Sequence, residues 1–509
     1  MRELNLGVQR AAQNFHLLNR RENTPFGANP GAASRYEHLF SYKLSDTSIA
    51  DAAIDIIRHA QRKVFLASFR IGDGPMLDAL YETVGRLRGG VYVITSWDEK
   101  ALRQGSAELG DDDGLTEDEI KAQNKRFDDM TRRGIIVRGH PSCHAKFLLA
   151  DDAIALVSSA NLETSALRDR TDRYVTGESG AVITDTGEVG LLARFFTRLW
   201  FEGCTGEARP GAHYVLRSRR REPSPCTVVP SLTTPSAGVI WTHDDEHGIL
   251  DAIVDIASCA THELLIASYN LVGLSERPDL LLDTLARALE RGVRVSLLLR
   301  GRNLPRDLRD AAALAALGVE LHPDSLTHVK GVIADGRHGA LFSANLDFDH
   351  GLINGVEVGV RLDGTPALVE ARRFFMHAMR NADMKFTPCP AQAELDSAYP
   401  ARWRKQWPFA GTLAVTATDA VWHSFTEAAQ RPPILYETTD SGPITLHAGR
   451  RSWSLVRGGQ TWRLEASART NNEKEPLDLM ADWSKRRSAT ESAAATARRG
   501  FIPAILIRQ

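Results

Sequence analysis

Five polar residue types recur at one fixed spacing in two places along this chain. His144, Lys146, Asp151, Ser159 and Asn161 form the first set, and His328, Lys330, Asp335, Ser343 and Asn345 the second. In both, the Lys lies two residues beyond the His, the Asp seven, the Ser fifteen and the Asn seventeen. A carboxylate follows each set, Glu178 in Tyr-Val-Thr-Gly-Glu-Ser-Gly and Glu357 in Ile-Asn-Gly-Val-Glu-Val-Gly. The flanking apolar runs echo each other too. Val64-Phe-Leu-Ala-Ser-Phe69 matches Leu264-Leu-Ile-Ala-Ser-Tyr269, and Ala53-Ile-Asp-Ile56 matches Ala252-Ile-Val-Asp-Ile256. Repetition over this length predicts an internal duplication, about 46–204 and 238–385. Polar groups inside strands that otherwise favour Val, Leu and Ile destabilise unless partnered. Their retention in both copies therefore points to chemistry.

Each half alternates helical and strand patterns. Ile49, Ala53, Ile56, Ile57 and Ala60 make one helical stripe, followed by an apolar run from Val64. A helix over about 75–87, Gly89-Gly90 and the run Val91–Thr95 come next. This is the order of an α/β sheet. His144 and Lys146, two apart, are expected on one face of a strand, as are His328 and Lys330. Residues 98–133 read as a charged insertion, Asp111-Asp-Asp113, leading to a basic helix whose N-terminus carries the Thr116/Glu119 capping box. The acidic run reads as solvated loop rather than metal site.

The organisation expected is an N-terminal arm at 1–37, a first half at 38–204, a Pro/Arg-rich linker at 205–237, a second half at 238–385 and an accessory segment at 386–509. The last is expected to be a small β-rich domain with a helical tail. It holds Trp403, Trp407, Trp422, Trp453, Trp462 and Trp483, and the run Trp453–Leu464 reads as a hairpin turning at Gly458-Gly459. Its charged, Ala-rich end, with Arg498 and Arg499, reads as helix.

Five cysteines, odd in number and without a C-x-x-C pair, argue against a disulfide framework or structural zinc. The first residues lack a signal-peptide core, and no run reaches the roughly 18 apolar residues of a membrane span. The expectation is a cytoplasmic protein without a stable membrane anchor. A net charge of −2 excludes a uniformly basic nucleic-acid binder but leaves room for local patches.

The doubled His-x-Lys-(x)4-Asp with its downstream Ser-x-Asn resembles the phospholipase D superfamily, over about residues 46–385. The resemblance implies two phospholipase D-like α/β halves packed about a pseudo-twofold axis, both motifs facing one active site. It implies phosphodiester chemistry with no metal and no cofactor. One histidine attacks phosphorus and the other protonates the leaving oxygen, then activates water. By family analogy His144 is the nucleophile and His328 the acid/base. Lys146, Lys330, Asn161 and Asn345 are expected to hold the non-bridging oxygens, with Ser159 and Ser343 as second donors. Glu178 and Glu357 are expected to hold the far imidazole nitrogens. Asp151 and Asp335 are expected to be structural. Tyrosyl-DNA phosphodiesterases lack the motif Asp, so its presence twice argues against that branch.

For the substrate, the runs Ser159-Ala-Asn-Leu162 and Ser343-Ala-Asn-Leu346 resemble those of bacterial nuclease-like members. Arg168, Arg170 and Arg173, in a loop about five residues longer than its counterpart, are candidate phosphate contacts. So are Arg217, Arg219 and Arg220 of the linker. Nucleic acid is the expected substrate and partner, with control by a regulatory protein or self-assembly. A phospholipase D or a cardiolipin-synthase-like transferase is the alternative.

Overall fold

The computed structural model describes residues 2–5, 14–17, 24–27, 34–43, 48–97, 117–163, 175–216, 237–302, 305–387, 412–429, 434–438, 442–448, 451–466, 498–502 and 506–508. The chain divides into two compact units, one of residues 22–300 and 313–382, the other of 1–21, 301–312 and 383–509.

The larger unit holds two mixed sheets. In the first, strands follow the order Ala212–Val215, Gly206–Arg209, Ile136–His140, Val91–Ser96, Val64–Ser68, Phe147–Ala150, Ile154–Ser158, Val175–Ile183 and Tyr36–Lys43. In the second the order is Glu320–Asp324, Arg294–Arg300, Glu263–Ser268, Gly331–Ala334, His338–Phe342, Glu357–Leu362, Ala237–His243 and Glu246–His247. Seven strands thus run in the same order in both. In each sheet the first three of these pair in parallel and the rest antiparallel.

Amphipathic helices cover the sheets. Ser48–His59 buries Ile49, Ala53, Ile56 and Ile57 and exposes Asp51, Asp55 and Arg58. Gly248–Cys259 is apolar over most of its surface and correspondingly buried. Pro366–Arg380 starts with Thr365 as N-cap and Pro366 in the first turn, where a missing N–H costs nothing. Its Phe374 packs against Phe40 and Tyr42 of the first sheet. One apolar cluster draws on both sheets, with Phe147, Val157 and Ala181 from the first and Leu265, Leu341 and Val358 from the second.

Several boundaries differ from those read from sequence. Residues 206–215, expected to open the linker, form a hairpin on the first sheet and pair with Ile136–His140. The strand Tyr36–Lys43 begins inside the segment read as an arm, paired with Val175–Ile183. The basic helix is present as Glu117–Arg132, but Arg126 grips Asp73 through two hydrogen bonds and Arg132 bonds Asp128, so these two cations are engaged.

In the smaller unit, Arg2–Asn5 is a strand between Thr412–Thr416 and Leu506–Arg508, not an irregular arm. Further strands run at Thr412–Thr416, Ile434–Thr438 and Ile444–Ala448, in keeping with a β-rich segment. The hairpin Arg451–Gly458/Thr461–Ala466 turns one residue later than expected, at Gly459-Gln460, with Gly459 taking φ of 65°. Trp422, Trp453 and Trp462 are buried in the unit's core with Phe425 and Tyr436, which removes them as base-stacking surfaces. Trp403, Trp407 and Trp483 lie outside the described residues. Arg498–Ile502, expected in a helix, is a strand paired with Ile434–Thr438, where backbone pairing outweighs local helix preference. Among the described residues no helix is long and apolar enough to cross a membrane.

Candidate active site

His144 and Lys146 sit on an extended segment that leads into the strand Phe147–Ala150, and His328 and Lys330 occupy the same place before Gly331–Ala334. The strands are one turn of pleat shorter than the pattern suggested. What holds these segments is pairing with the other half. Cys143 bridges Val356 in parallel, and Thr327 bridges Gly177. The His144 N–H donates to Val356 O at 2.9 Å and the His328 N–H to Gly177 O at 2.7 Å.

These two bridges fix which carboxylate meets which imidazole. Each histidine lies beside the residue preceding the other half's glutamate. His144 Nδ1 is 2.7 Å from Glu357 Oε1, and His328 Nδ1 is 2.8 and 2.9 Å from the two oxygens of Glu178. The dyads are therefore exchanged between the motif sets. With the carboxylate accepting at Nδ1, a neutral imidazole carries its lone pair on Nε2.

The serines have a different task from the one expected. Ser159 Oγ donates to Glu178 Oε2 at 2.5 Å, and Ser343 Oγ donates to Glu357 Oε2. Each Oγ also accepts a backbone N–H, from Ser179 and Val358, both at 3.0 Å. A hydroxyl that donates to a buried carboxylate has no hydrogen left for a phosphate oxygen, so both act behind the imidazoles. Glu178 has an additional donor, Thr176 Oγ1 at 2.9 Å, whose counterpart in the second half is Gly355.

Lys146 and Lys330 are buried, and each ammonium donates to the carbonyl of its own histidine, at 2.6 and 2.9 Å. Lys146 and Asn161 line one small cavity with Ser68 and Ser158. Among the described residues, Oδ1 of Asn161 and of Asn345 is buried without a hydrogen-bond partner. Asp151 and Asp335 lie at turns away from the imidazoles. Asp151 accepts the N–H groups of Gln61, Arg62 and Lys63, and Asp335 those of Thr261, His262 and Glu263. Both occupy left-handed backbone, φ 57° and 52°. Arg168, Arg170, Arg173, Arg217, Arg219 and Arg220 lie outside the described residues.

Burial dominates the electrostatics. It pulls the His144 imidazole below its ordinary range, against the Glu357 carboxylate, and Lys146 and Lys330 add to the lowering. Burial pushes Glu178 up to about 7, opposed by Lys330 and by hydrogen bonds from Ser159 and Thr176. The thiol of Cys143, next to His144, is pushed up to about 12 by burial and is no nucleophile.

Two aromatic residues were missed in the sequence. Phe69 meets the His144 ring edge-on at 4.9 Å between centroids, and Tyr269 meets His328 at 4.7 Å. The serines before them, Ser68 and Ser268, accept the N–H of Leu162 and Leu346, at 3.0 and 2.9 Å, and so tie each strand end to the Asn-bearing loop. The signal was the echo of Ala-Ser-Phe69 in Ala-Ser-Tyr269. In a run of apolar residues it reads as core.

Residues 53–200 match the family model described as "Cardiolipin synthase, PLD-like domain". Solved structures similar to this chain include a phosphatidylserine synthase of Haemophilus influenzae Rd KW20, at 14% identity over 71% of this chain and 89% of that one, with a TM-score of 0.45. Others are a polyphosphate kinase from Porphyromonas gingivalis, at 14% identity over 68% and 50% with a TM-score of 0.40, and the phospholipase D family member Nuc from Salmonella typhimurium, at 22% identity over 30% and 99% with a TM-score of 0.26. No curated protein matches in sequence.

Proposed function

Because the chain is a member of the phospholipase D superfamily, we propose that it is a metal-independent phosphodiesterase that cleaves nucleic acid through a covalent phosphohistidine. The observation that carries the chemistry is the exchanged pair of imidazole–carboxylate dyads, backed by two buried ammonium groups. The two sheets with seven strands in common order support reading the unit as an internal duplication with pseudo-twofold symmetry.

In this reading His144 attacks. Its lowered pKa keeps it neutral near pH 7, with the Nε2 lone pair available. A P–N bond forms as the P–O bond to the leaving group breaks, and His328 passes its proton to that oxygen. Water then gives a proton back to His328 and its oxygen displaces His144 from phosphorus. The raised Glu178 keeps a proton on the Glu178–His328 pair around neutrality, which suits the acid role. Lys146, Lys330, Asn161 and Asn345 hold the non-bridging oxygens as charge develops.

Nucleic acid as substrate is supported by the Ser-Ala-Asn-Leu runs and by the arginine-rich segment at 217–221 in the sequence. The test is cleavage of plasmid and oligonucleotides in EDTA, with His144→Ala and His328→Ala both inactive. Full activity in either variant sinks the shared-site mechanism. The description of the matching family model favours a second reading, a phosphatidyltransferase or phospholipase. Turnover of phosphatidylglycerol or phosphatidylcholine vesicles without plasmid nicking would establish that one instead.

A further inference from the structure

Each catalytic histidine is flanked by an aromatic ring, and each ring carries an arginine. The guanidinium of Arg70 lies 5.4 Å from the Phe69 ring centre, and that of Arg300 lies 6.0 Å from the Tyr269 ring centre. The two arginines are not equivalent residues. Arg70 directly follows Phe69, and the position after Tyr269 is Asn270. Arg300 ends the neighbouring strand, where Ser268 pairs with Leu299. In the first half Ser68 pairs with Thr95, so the place of Arg300 falls to Ser96. Each half thus brings an arginine to the ring beside its histidine from a different strand position.

Arg300 is half-buried and, among the described residues, makes no ion pair and no side-chain hydrogen bond. A half-buried guanidinium without a carboxylate partner keeps its donor fork open to an anionic ligand. Its planar fork suits a phosphate, and aromatic faces are where such a group waits when unbound. The same Tyr269 ring touches His328 and has Lys330 Nζ 5.4 Å from its centre, so Arg300 stands one ring away from the reacting groups. Phe69 has the same relation to His144 and to Lys146 Nζ, at 5.6 Å.

We propose that Arg70 and Arg300 bind the phosphates on either side of the scissile one, which makes the substrate a polynucleotide strand rather than a diester with a single phosphate. This rests on the nuclease reading above and names the groups that select for it. Phe69 and Tyr269 each touch both a histidine and an arginine.

The experiment compares a single-stranded DNA oligonucleotide with a thymidine dinucleotide, which has one diester and no flanking phosphate, in EDTA. Wild type, Arg70→Ala, Arg300→Ala and Arg300→Lys are measured, each with a thermal melt to show folding. For each alanine variant the ratio of kcat/KM on oligonucleotide to that on dinucleotide is expected to fall about tenfold or more, as for loss of one charge-assisted contact. The salt dependence of oligonucleotide binding is expected to flatten by about 0.7 in log–log slope per arginine, and Arg300→Lys to keep the wild-type slope. An unchanged ratio and slope in folded alanine variants overturns the assignment while leaving the nuclease standing. A wild-type protein that hydrolyses bis(para-nitrophenyl) phosphate or lipid but no oligonucleotide overturns both.

Discussion

Glu178→Gln tests the exchanged dyads most directly. Glu178 is fully buried, accepts from Ser159 and Thr176, and meets His328 Nδ1 with both oxygens. A glutamine has one acceptor oxygen and one donor nitrogen. It can satisfy the two hydroxyls or the imidazole N–H, but not both. If its nitrogen faces Nδ1, the ring must carry its proton on Nε2, the wrong tautomer for accepting a proton from water. The imidazolium also loses its counter-charge. A hydrogen bond to a charged group contributes about 1.5–3 kcal/mol, so losing that contact and misplacing a second costs about 4 kcal/mol, or on the order of a thousandfold in rate. The loss must depend on the leaving group. A para-nitrophenolate departs without help from an acid, so Glu178→Gln is expected to release one equivalent of it in a burst and then stall. His144 should then carry the phosphoryl group, seen by mass spectrometry of alkali-treated peptides. Glu357→Gln, which cripples the nucleophile instead, is expected to show no burst. A burst in Glu357→Gln and none in Glu178→Gln would refute the roles assigned, and equal behaviour would refute the division of labour.

Three further outcomes concern the frame around the site. Asp335→Ala leaves the N–H groups of Thr261, His262 and Glu263 without their acceptor; it is expected to destabilise by about 2–4 kcal/mol in urea unfolding, whereas a rate defect without a stability defect would make this Asp catalytic. His38 is buried against Ser179, and burial pulls its pKa down to about 3. The unfolded chain therefore binds a proton first, and stability is expected to fall as pH drops from about 6.5 towards 3, by up to about 1.4 kcal/mol per pH unit. His38→Phe should flatten that slope between pH 7 and 5, and an unaltered slope would show that other groups dominate. Lys43 and Asp324 form a buried ion pair at 2.5 Å, four residues before His328. Lys43→Met is expected to cost about 3–5 kcal/mol by stranding the carboxylate, with Lys43→Met/Asp324→Leu recovering most of it; no recovery in the double variant would show that the loss is not the stranded charge.

The ten motif residues were legible because a polar side chain in an apolar run stands out, and doubling the pattern removes chance. Their partners were less legible for a physical reason. Nothing in the spacing of His144 and Glu178 tells that Glu178 belongs to His328, since the pairing is made by the backbone bridges Cys143/Val356 and Gly177/Thr327. The serines misled because a hydroxyl two residues before the motif Asn looks like a second donor, and only its contact with a buried carboxylate reveals otherwise. Phe69 and Tyr269 were hidden among core residues of the same type. In the smaller unit the fold settles what the tryptophans do. Trp422, Trp453 and Trp462 fill the core, as aromatic residues in a small sheet usually do.

The exchanged dyads make each motif set depend on the other. Here removal of either glutamate strips the imidazole of the opposite set, and removal of either serine loosens that same distant dyad. Neither half contains a complete imidazole–carboxylate pair of its own. Thr176 and Gly355 hold matching places, two residues before each glutamate, and Thr176 gives Glu178 a second hydroxyl donor that Gly355 cannot give Glu357. One dyad is thereby held more tightly than the other, which is the kind of difference that lets two similar histidines take different steps in one reaction.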